Sequence, residues 1–179
     1  MRTSNLVLAL LAAGTLTPAL TGAQAPVTLT DAEIAHVAVT ANAIDVDLAK
    51  LAETRAASPE VQAFARTMVT DHLAVNVRAR ELAQRLGVTP VDNTVSVSLR
   101  DAADPVHRAL SELHGTPFDL AYIEREVAYH QAVLDALNQL LIPQTQNDEL
   151  RALLQQALPV IAAHLEHAKR LARGSDGHP

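Results

Sequence analysis

The clearest structural signal in this chain of 179 residues is the segment 58–87, SPEVQAFARTMVTDHLAVNVRARELAQRLG. Ser58 followed by Pro59 indicates a helix start, because a serine side chain caps free amide groups and proline fits the first helical position. Apolar residues then recur at steps of three and four as far as Leu86, and Gly87 is a typical C-terminal stop. The segment predicts an amphipathic helix from Pro59 to Leu86.

Three further segments, one before this helix and two after it, repeat the same apolar spacing. Thr30 and Glu33 are placed for a capping box at the start of the first segment. Pro143 and Gly174 are placed to end the other two. Pro159 lies inside the last segment and predicts a kink there, because proline removes a helical hydrogen bond. The predicted helices are 31–56, 59–86, 116–142 and 147–173.

The connections between these helices differ greatly in length. Only a few residues join the first helix to the second and the third to the fourth. The link 88–115 is long enough to cross a bundle from end to end, and a short helix is expected within it at 105–113. A short, long, short order of connections is typical of the ferritin-like four-helix bundle. The sequence therefore predicts an all-α fold of this type with one long crossover between helices 2 and 3.

The composition agrees with packed helices and excludes several functions. Apolar residues make up 49% of the chain and aromatic residues only 2%, which disfavours an all-β sandwich. The 14 basic and 20 acidic residues give a net charge of −6. Nucleic-acid binding needs a basic face, so this function is not expected. The chain contains no cysteine, which excludes disulfides, thiolate metal sites and cysteine catalysis.

Residues 1–25 have the pattern of a secretory signal peptide with its cleavage region. A basic residue precedes the apolar core 6–11, and cleavage is expected after Ala23. The apolar run is shorter than the roughly 20 residues that a membrane-spanning helix needs, and no later segment reaches that length without charges. We therefore expect an exported chain without a membrane span, with a helical domain at 26–174 and a disordered tail at 175–179.

One polar residue interrupts the apolar stripe of each predicted helix. Asp45 does so in helix one, His72 in helix two, His130 in helix three and His164 in helix four. Counted from the two hairpins, the residues of each pair differ in level by about one helical turn or less. Four polar side chains are therefore predicted to converge near the middle of the bundle, with Glu126 one turn before His130.

Three imidazoles and a carboxylate are a suitable ligand set for a transition metal ion. Imidazole nitrogen suits Zn, Cu and Fe, and a carboxylate oxygen completes the coordination sphere. Bundle cores hold such sites, with ligands from facing helices. The alternative is a structural network, in which the same side chains hydrogen-bond to one another and fix the packing. The metal hypothesis names His72, His130, His164, Asp45 and Glu126.

Other candidate sites are weaker. Glu33 and His36 have a carboxylate–histidine helical spacing, but they lie in the first turn on the polar side. His167 lies one turn after His164 yet off the apolar stripe, which favours an exposed position. The chain has no serine nucleophile elbow and no glycine-rich phosphate loop. No catalytic residues and no organic cofactor are therefore predicted.

At these residues the chain resembles a family of exported bacterial proteins, domain-of-unknown-function family 4142, often described as predicted outer membrane proteins. The resemblance covers about 31–172. It is carried by IDVDLAKLA at 44–52, VQAFARTMVTDH at 61–72, FDLAYI at 118–123 leading to His130, and LP at 158–159 leading to His164. The resemblance implies a ferritin-like helical fold and a location in the periplasm or cell envelope. It does not indicate a biochemical activity.

The sequence thus predicts an exported bundle that binds a transition metal ion, for buffering or for sensing. The alternative is a non-catalytic structural or stress-protective protein of the cell envelope. A metal-dependent redox enzyme is disfavoured, because di-iron bundles place Glu-x-x-His pairs at their centre and no such pair falls at that level here. The identity of the metal, the oligomeric state and any protein partner stay open.

Overall fold

The structure is a computed structural model that describes residues 27–175. These residues form helices and connecting turns, and no strand occurs among them. The predicted signal peptide at 1–25 lies outside the described residues, as do residues 176–179 of the predicted tail. The helices are α1 (Asp31–Arg55), α2 (Pro59–Leu86), α3 (Thr94–Ser111), α4 (Gly115–Ala136), a π-helical turn (Leu137–Leu141), α5 (Ile142–Gln144) and α6 (Asp148–Ser175).

The first hairpin begins and ends its helices where the sequence predicts. Thr30 caps α1 in a capping box with Glu33. The Ser58 side chain accepts from the amide of Val61 at the start of α2, and Gly87 ends α2 with a left-handed φ of 63°. Glycine adopts a left-handed backbone conformation with little strain because it has no Cβ atom. The helix therefore ends at this point.

The crossover contains more helix than the sequence pattern predicts. The expectation of a short helix at 105–113 is wrong, since α3 runs from Thr94 to Ser111. Asn93 caps its start, accepting from two backbone amides, while the Ser96 hydroxyl contacts the Asn93 amide in return. This capping box offsets the low helix propensity of the β-branched residues that follow.

Two other helix ends also differ from the prediction. Pro143 does not end the third long helix but lies inside its last turn, α5, and Thr145 is the C-cap. The preceding π-helical turn contains Gln139, whose carbonyl the proline ring would oppose in a regular helix, so the wider turn accommodates the ring. Gly174 likewise lies within α6, which runs to Ser175 and passes through Pro159.

The long helices pack as two antiparallel hairpins. Helix α1 lies against α2 and α4 against α6, while α2–α6 and α1–α4 contacts join the hairpins and α3 covers α1. This is a four-helix bundle with one long crossover, as predicted. Leu120, which the apolar spacing places inward, is 46% exposed, and Phe118 and Tyr122 fill the core in its place.

The hydrophobic core is divided into two clusters along the bundle axis. One, at the end of the α1–α2 hairpin, includes Leu48, Phe64 and Phe118. The other, at the opposite end, includes Ile34 and Leu150. The stretches of helix between these clusters carry the polar residues singled out from the sequence. No helix of residues 27–175 has the length and apolar character needed to cross a membrane.

Candidate metal centre

The polar layer between the two core clusters receives side chains from all four long helices. Asp45 lies on α1, His72 on α2, His164 on α6, and Glu126 and His130 on successive turns of α4. All five residues are buried, with Asp45 and Glu126 fully inaccessible and His164 the most exposed at 5%. The structure therefore brings together every residue that the metal hypothesis names.

The three imidazoles form a compact triangle. The ring centroids of His72 and His164 are 5.2 Å apart, those of His130 and His164 5.4 Å, and those of His72 and His130 5.8 Å. One ring nitrogen from each histidine lies within 4.8 Å of the nitrogens of the other two. This spacing allows the three nitrogens to share one ion after small side-chain movements, because metal–nitrogen bonds are about 2.0–2.1 Å long.

Each imidazole is held from outside the triangle, beginning with His72. Its Nδ1 lies 2.8 Å from Asn42 Oδ1 on α1. The Asn42 amide nitrogen donates in turn to Asn76 Oδ1 over 3.3 Å. Since an amide oxygen only accepts, His72 Nδ1 donates in this contact, and Nε2, which lies 2.9 Å from Asp45 Oδ2, is the nitrogen that faces the cluster.

The other two imidazoles are held in the same way. His130 Nδ1 donates to the main-chain carbonyl of Glu126 over 3.0 Å, and His164 Nε2 lies 2.9 Å from Asp71 Oδ2. These contacts leave His130 Nε2 and His164 Nδ1 without a hydrogen-bond partner. Histidines that bind metals are commonly oriented by an oxygen acceptor on their second nitrogen, and all three histidines here have one.

The cluster also contains buried polar atoms whose hydrogen-bonding capacity is unused. Asp45 Oδ2 lies 2.9 Å from His72 Nε2, but the geometry does not make a hydrogen bond. An unsatisfied buried polar atom costs about 1–3 kcal/mol, so a ligand that satisfied several of them would be strongly favoured. Within residues 27–175, the buried atoms of this cluster without a hydrogen-bond partner are His72 Nε2, His130 Nε2, His164 Nδ1, Asp45 Oδ2, Glu126 Oε2 and Tyr122 Oη.

Arg125 supplies the positive charge that the sequence pattern does not predict. Its Nη1 donates to Asp45 Oδ1 over 2.6 Å and to Glu126 Oε1 over 2.5 Å. The guanidinium carbon lies 3.8 Å from the ring centroid of Tyr129, whose hydroxyl donates to the Ala41 carbonyl. The guanidinium thus neutralises part of the negative charge of two fully buried carboxylates.

Burial and charge shift the acidity of the cluster in different directions. Burial raises the pKa of Asp45, but the His72 contact and the charges of Arg125 and the histidines outweigh it and hold the pKa well below its usual range. Burial lowers the pKa of His130, yet its contacts with Glu126 and the charge of Asp45 leave that pKa raised. The pKa of His164 is lowered, by burial first and then by the neighbouring histidines, against the opposing effect of Asp71. Asp45 is therefore held ionised beside the imidazoles.

The weaker candidates lie away from this cluster. Glu33 is used in the capping box of α1, and His36 is half-buried with its Nδ1 3.6 Å from Asp92. His167 packs edge-on against Phe64, with ring centroids 5.1 Å apart. These contacts are structural, and none of the three residues joins the histidine triangle.

A cavity of about 520 Å³ lies beside the histidines. Its wall includes the rings of His72, His164 and Tyr129, and most of the remainder is alanine, valine and leucine from the long helices and α3. The small alanine side chains leave this half of the bundle less filled, and the volume falls within the range of small-molecule sites. The cavity gives room for a further ligand next to the imidazoles.

Fold and site together define an all-α bundle with a buried histidine–carboxylate cluster at its centre. The chain belongs to the domain of unknown function family DUF4142, whose pattern it matches over residues 16–171. No curated protein matches the sequence.

Two solved structures have a similar fold. One is a DUF305 protein of Streptomyces coelicolor described as secreted, with a TM-score of 0.70 and 12% identity over 83% of this chain and 97% of that chain. The other is CopM in its Cu(II)-bound form, with a TM-score of 0.63 and 16% identity over 83% of this chain and 99% of that chain. At these identities the likeness concerns the fold alone.

Proposed function

We propose that the protein is an exported metal-binding protein that holds one divalent transition metal ion at the centre of the bundle. His72 Nε2, His130 Nε2 and His164 Nδ1 are the nitrogen ligands, and Asp45 Oδ2 is the carboxylate ligand. Glu126 supports the site from outside, through its contacts with His130 and Arg125. In this role the protein buffers the ion or senses it outside the cytoplasm.

One observation carries the proposal: three buried imidazoles each use one nitrogen in a hydrogen bond to an oxygen and leave the other without a hydrogen bond, His72 Nε2 having only the 2.9 Å contact with Asp45 Oδ2. A purely structural network would be expected to satisfy both nitrogens, because an unpaired buried nitrogen is costly. A metal ion satisfies all three free nitrogens at once. The outer oxygens fix the ring orientations before the ion arrives.

The donor set favours Cu²⁺ or Zn²⁺. Three imidazoles and one carboxylate are borderline donors, which suit these ions better than Mg²⁺ or Ca²⁺, and Cu²⁺ stands highest in the general order of affinity. CopM, which has a similar fold, is described in a Cu(II)-bound form, which makes Cu²⁺ the first ion to test. The neighbouring cavity leaves space for a water molecule or a small ligand on the ion.

A structural role for the layer is the competing proposal, and the Arg125 ion pairs favour it. They compensate Asp45 and Glu126 without any metal, and buried polar groups can fix the packing of a bundle. This proposal requires the metal-free protein to be the working form. It therefore predicts no stoichiometric metal under any condition in which the bundle is folded.

The test measures the metal content of the protein purified without an affinity tag, since a histidine tag binds the same ions. The wild type is equilibrated with Cu²⁺ or Zn²⁺, desalted and analysed by elemental mass spectrometry. The site variant is His72→Ala with His130→Ala. The matched control is His36→Ala with His107→Ala, which removes two histidines outside the triangle.

We expect close to one ion per chain in the wild type and in the control, and almost none in the site variant. Circular dichroism establishes that all three proteins keep their helices. The equilibration is repeated with Fe²⁺ and with Mn²⁺. A folded wild type that retains none of the four ions would overturn the metal proposal and leave the structural one.

Export is a separate part of the proposal. It rests on the signal-peptide pattern at 1–25 and agrees with the description of the DUF305 neighbour as secreted. Cleavage after Ala23 gives a mature chain that begins at Gln24. Mass spectrometry of the protein made by its own cells measures this mass directly, and an intact chain that begins at Met1 contradicts the prediction.

A further inference from the structure

A second group of metal-binding side chains overlaps the histidine triangle. Asp45, Glu126 and His130 each offer one ligand atom, and these atoms lie within 4.8 Å of one another. His130 belongs to both groups. Asp45 contacts both the histidine triangle and Arg125. Its Oδ2 lies 2.9 Å from His72 Nε2, and its Oδ1 lies 2.6 Å from Arg125 Nη1.

The guanidinium of Arg125 occupies the space between the carboxylates of this second group. One nitrogen, Nη1, lies within 2.6 Å of an oxygen of each carboxylate. The Arg125 side chain is only 13% exposed, and Tyr129 stacks on it. Arginine keeps its charge at any ordinary pH, so the group is a permanent cation fixed where two carboxylates from facing helices converge.

We infer that Arg125 takes the place of a second metal ion and so limits the centre to one. This inference rests on the proposed function. A carboxylate that bridges two ions about 3.5–4 Å apart is the usual arrangement in two-metal sites. Asp45 has a similar arrangement here. One of its carboxylate oxygens points to the histidine triangle and the other to the guanidinium of Arg125.

The charges disfavour a second divalent ion while Arg125 is present. Asp45 and Glu126 contribute two negative charges and Arg125 one positive charge, while the three histidines bind a metal ion as neutral ligands. The net charge of the centre is therefore +1 with one divalent ion and would be +3 with two. Removal of the guanidinium frees Asp45 Oδ1 and Glu126 Oε1 for a second cation. Carboxylate oxygens with added water molecules suit a divalent ion such as Zn²⁺ or Mn²⁺.

The test counts Zn²⁺ ions per chain by native mass spectrometry, with the full mature protein at saturating Zn²⁺. We expect one ion in the wild type, two in Arg125→Ala and one in Arg125→Lys, which keeps a cation at this place. Adding Glu126→Gln to Arg125→Ala removes a ligand of the second ion, so the stoichiometry should return to one. Cu²⁺ gives an independent signal, since two coupled ions in Arg125→Ala should lose most of the paramagnetic resonance intensity per copper.

The possible outcomes separate this inference from the proposed function. A wild type that binds no ion contradicts the proposed function, whereas a wild type and Arg125→Ala that both bind one ion overturn only the inference about Arg125. If Arg125→Ala unfolds without metal, Arg125→Gln replaces it and refolding is titrated with Zn²⁺. Refolding that is complete at two ions per chain supports the inference, and refolding complete at one ion contradicts it.

Discussion

Asp45 and His72 face each other across the first hairpin, with Oδ2 of one 2.9 Å from Nε2 of the other. They lie on α1 and α2 at similar distances along the chain from the turn that joins these helices. Asp45 also accepts from Arg125 on α4 through its second oxygen. A single carboxylate thus links three of the four long helices, and its replacement is the most informative change in the layer.

Asp45→Asn should destabilise the metal-free protein. The substitution keeps the size of the side chain but removes one of the two negative partners of a buried guanidinium. Removing one member of a buried ion pair costs about 3–5 kcal/mol, and we expect the lower end because Glu126 still pairs with Arg125. Urea unfolding at neutral pH measures the free energy.

The matched control for this prediction is Asp47→Asn, which changes an exposed carboxylate on the same helix. A surface substitution of this kind should stay within about 0.5 kcal/mol of the wild type. Equal losses of stability in the two variants would show that the buried Asp45–Arg125 pair contributes no more to the free energy of unfolding than an exposed carboxylate does.

Asn42→Leu should weaken metal binding without changing the number of ions bound. The leucine has a similar size but cannot accept the proton of His72 Nδ1, so the ring loses the contact that orients it. Loss of such an outer contact typically lowers metal affinity 10–100-fold. Competition with a chelator of known affinity measures the change for Cu²⁺ and Zn²⁺.

Asn138→Leu provides the comparison for this experiment. Asn138 is exposed, and its amide donates to the Leu134 carbonyl on its own helix. We expect the affinity of this variant to equal that of the wild type. An unchanged affinity in Asn42→Leu would mean that His72 does not depend on Asn42 for its orientation, or does not bind the ion.

Ala157→Leu should stabilise the protein. Ala157 is half-buried on α6 and lines the cavity of about 520 Å³, so extra methyl groups fill space instead of displacing neighbours. Cavity filling usually adds about 0.5–2 kcal/mol. The same change at Ala168, a fully buried residue of the packed cluster on the same helix, should instead cost about 1–3 kcal/mol. Thermal unfolding of the two variants, measured side by side, decides whether the cavity accepts a larger side chain.

The long helices and the polar layer were predictable because both depend on short-range patterns. A polar residue at the centre of an apolar stripe must point inward when the stripe does, as for His72 and His130. Leu120 shows the limit of this argument. It fits the three-and-four spacing of α4, but it lies outside the face of the helix that packs in the core.

The remaining parts of the site depend on contacts that the sequence does not display. Arg125 is next to Glu126 and off the apolar stripe. Its long side chain reaches the layer by pairing with Glu126 and with Asp45 on another helix, and the contact with Asp45 is not visible in the sequence. Asn42 lies beside the stripe of α1 and reaches His72 on another helix. The crossover helix α3 was underestimated for a local reason, because the cap formed by Asn93 and Ser96 outweighs the low propensity of the valines that follow.

Asp92, just before this helix, should make the stability of the protein depend on pH in acid. The Ser96 hydroxyl and the Arg100 guanidinium donate to its carboxylate and lower its pKa to about 2. A carboxyl group with a lowered folded-state pKa contributes stability that is present above the unfolded-state pKa of about 3.9 and is lost as the pH falls toward 2. Asp92→Asn should therefore be less stable than the wild type at pH 6, and the difference should shrink between pH 4 and pH 2. Urea unfolding across this range measures the difference.

Asp101→Asn, an exposed carboxylate on α3 itself, is the control. Its unfolding free energy should follow the wild-type curve at every pH, because Asp101 is not part of the cap. The carbon chemical shift of the Asp92 carboxyl group, followed by nuclear magnetic resonance, gives the midpoint independently of stability. A midpoint near 4 together with parallel curves for Asp92→Asn and the wild type would show that the Ser96 and Arg100 contacts do not hold this carboxylate in solution, and that another feature starts the crossover helix.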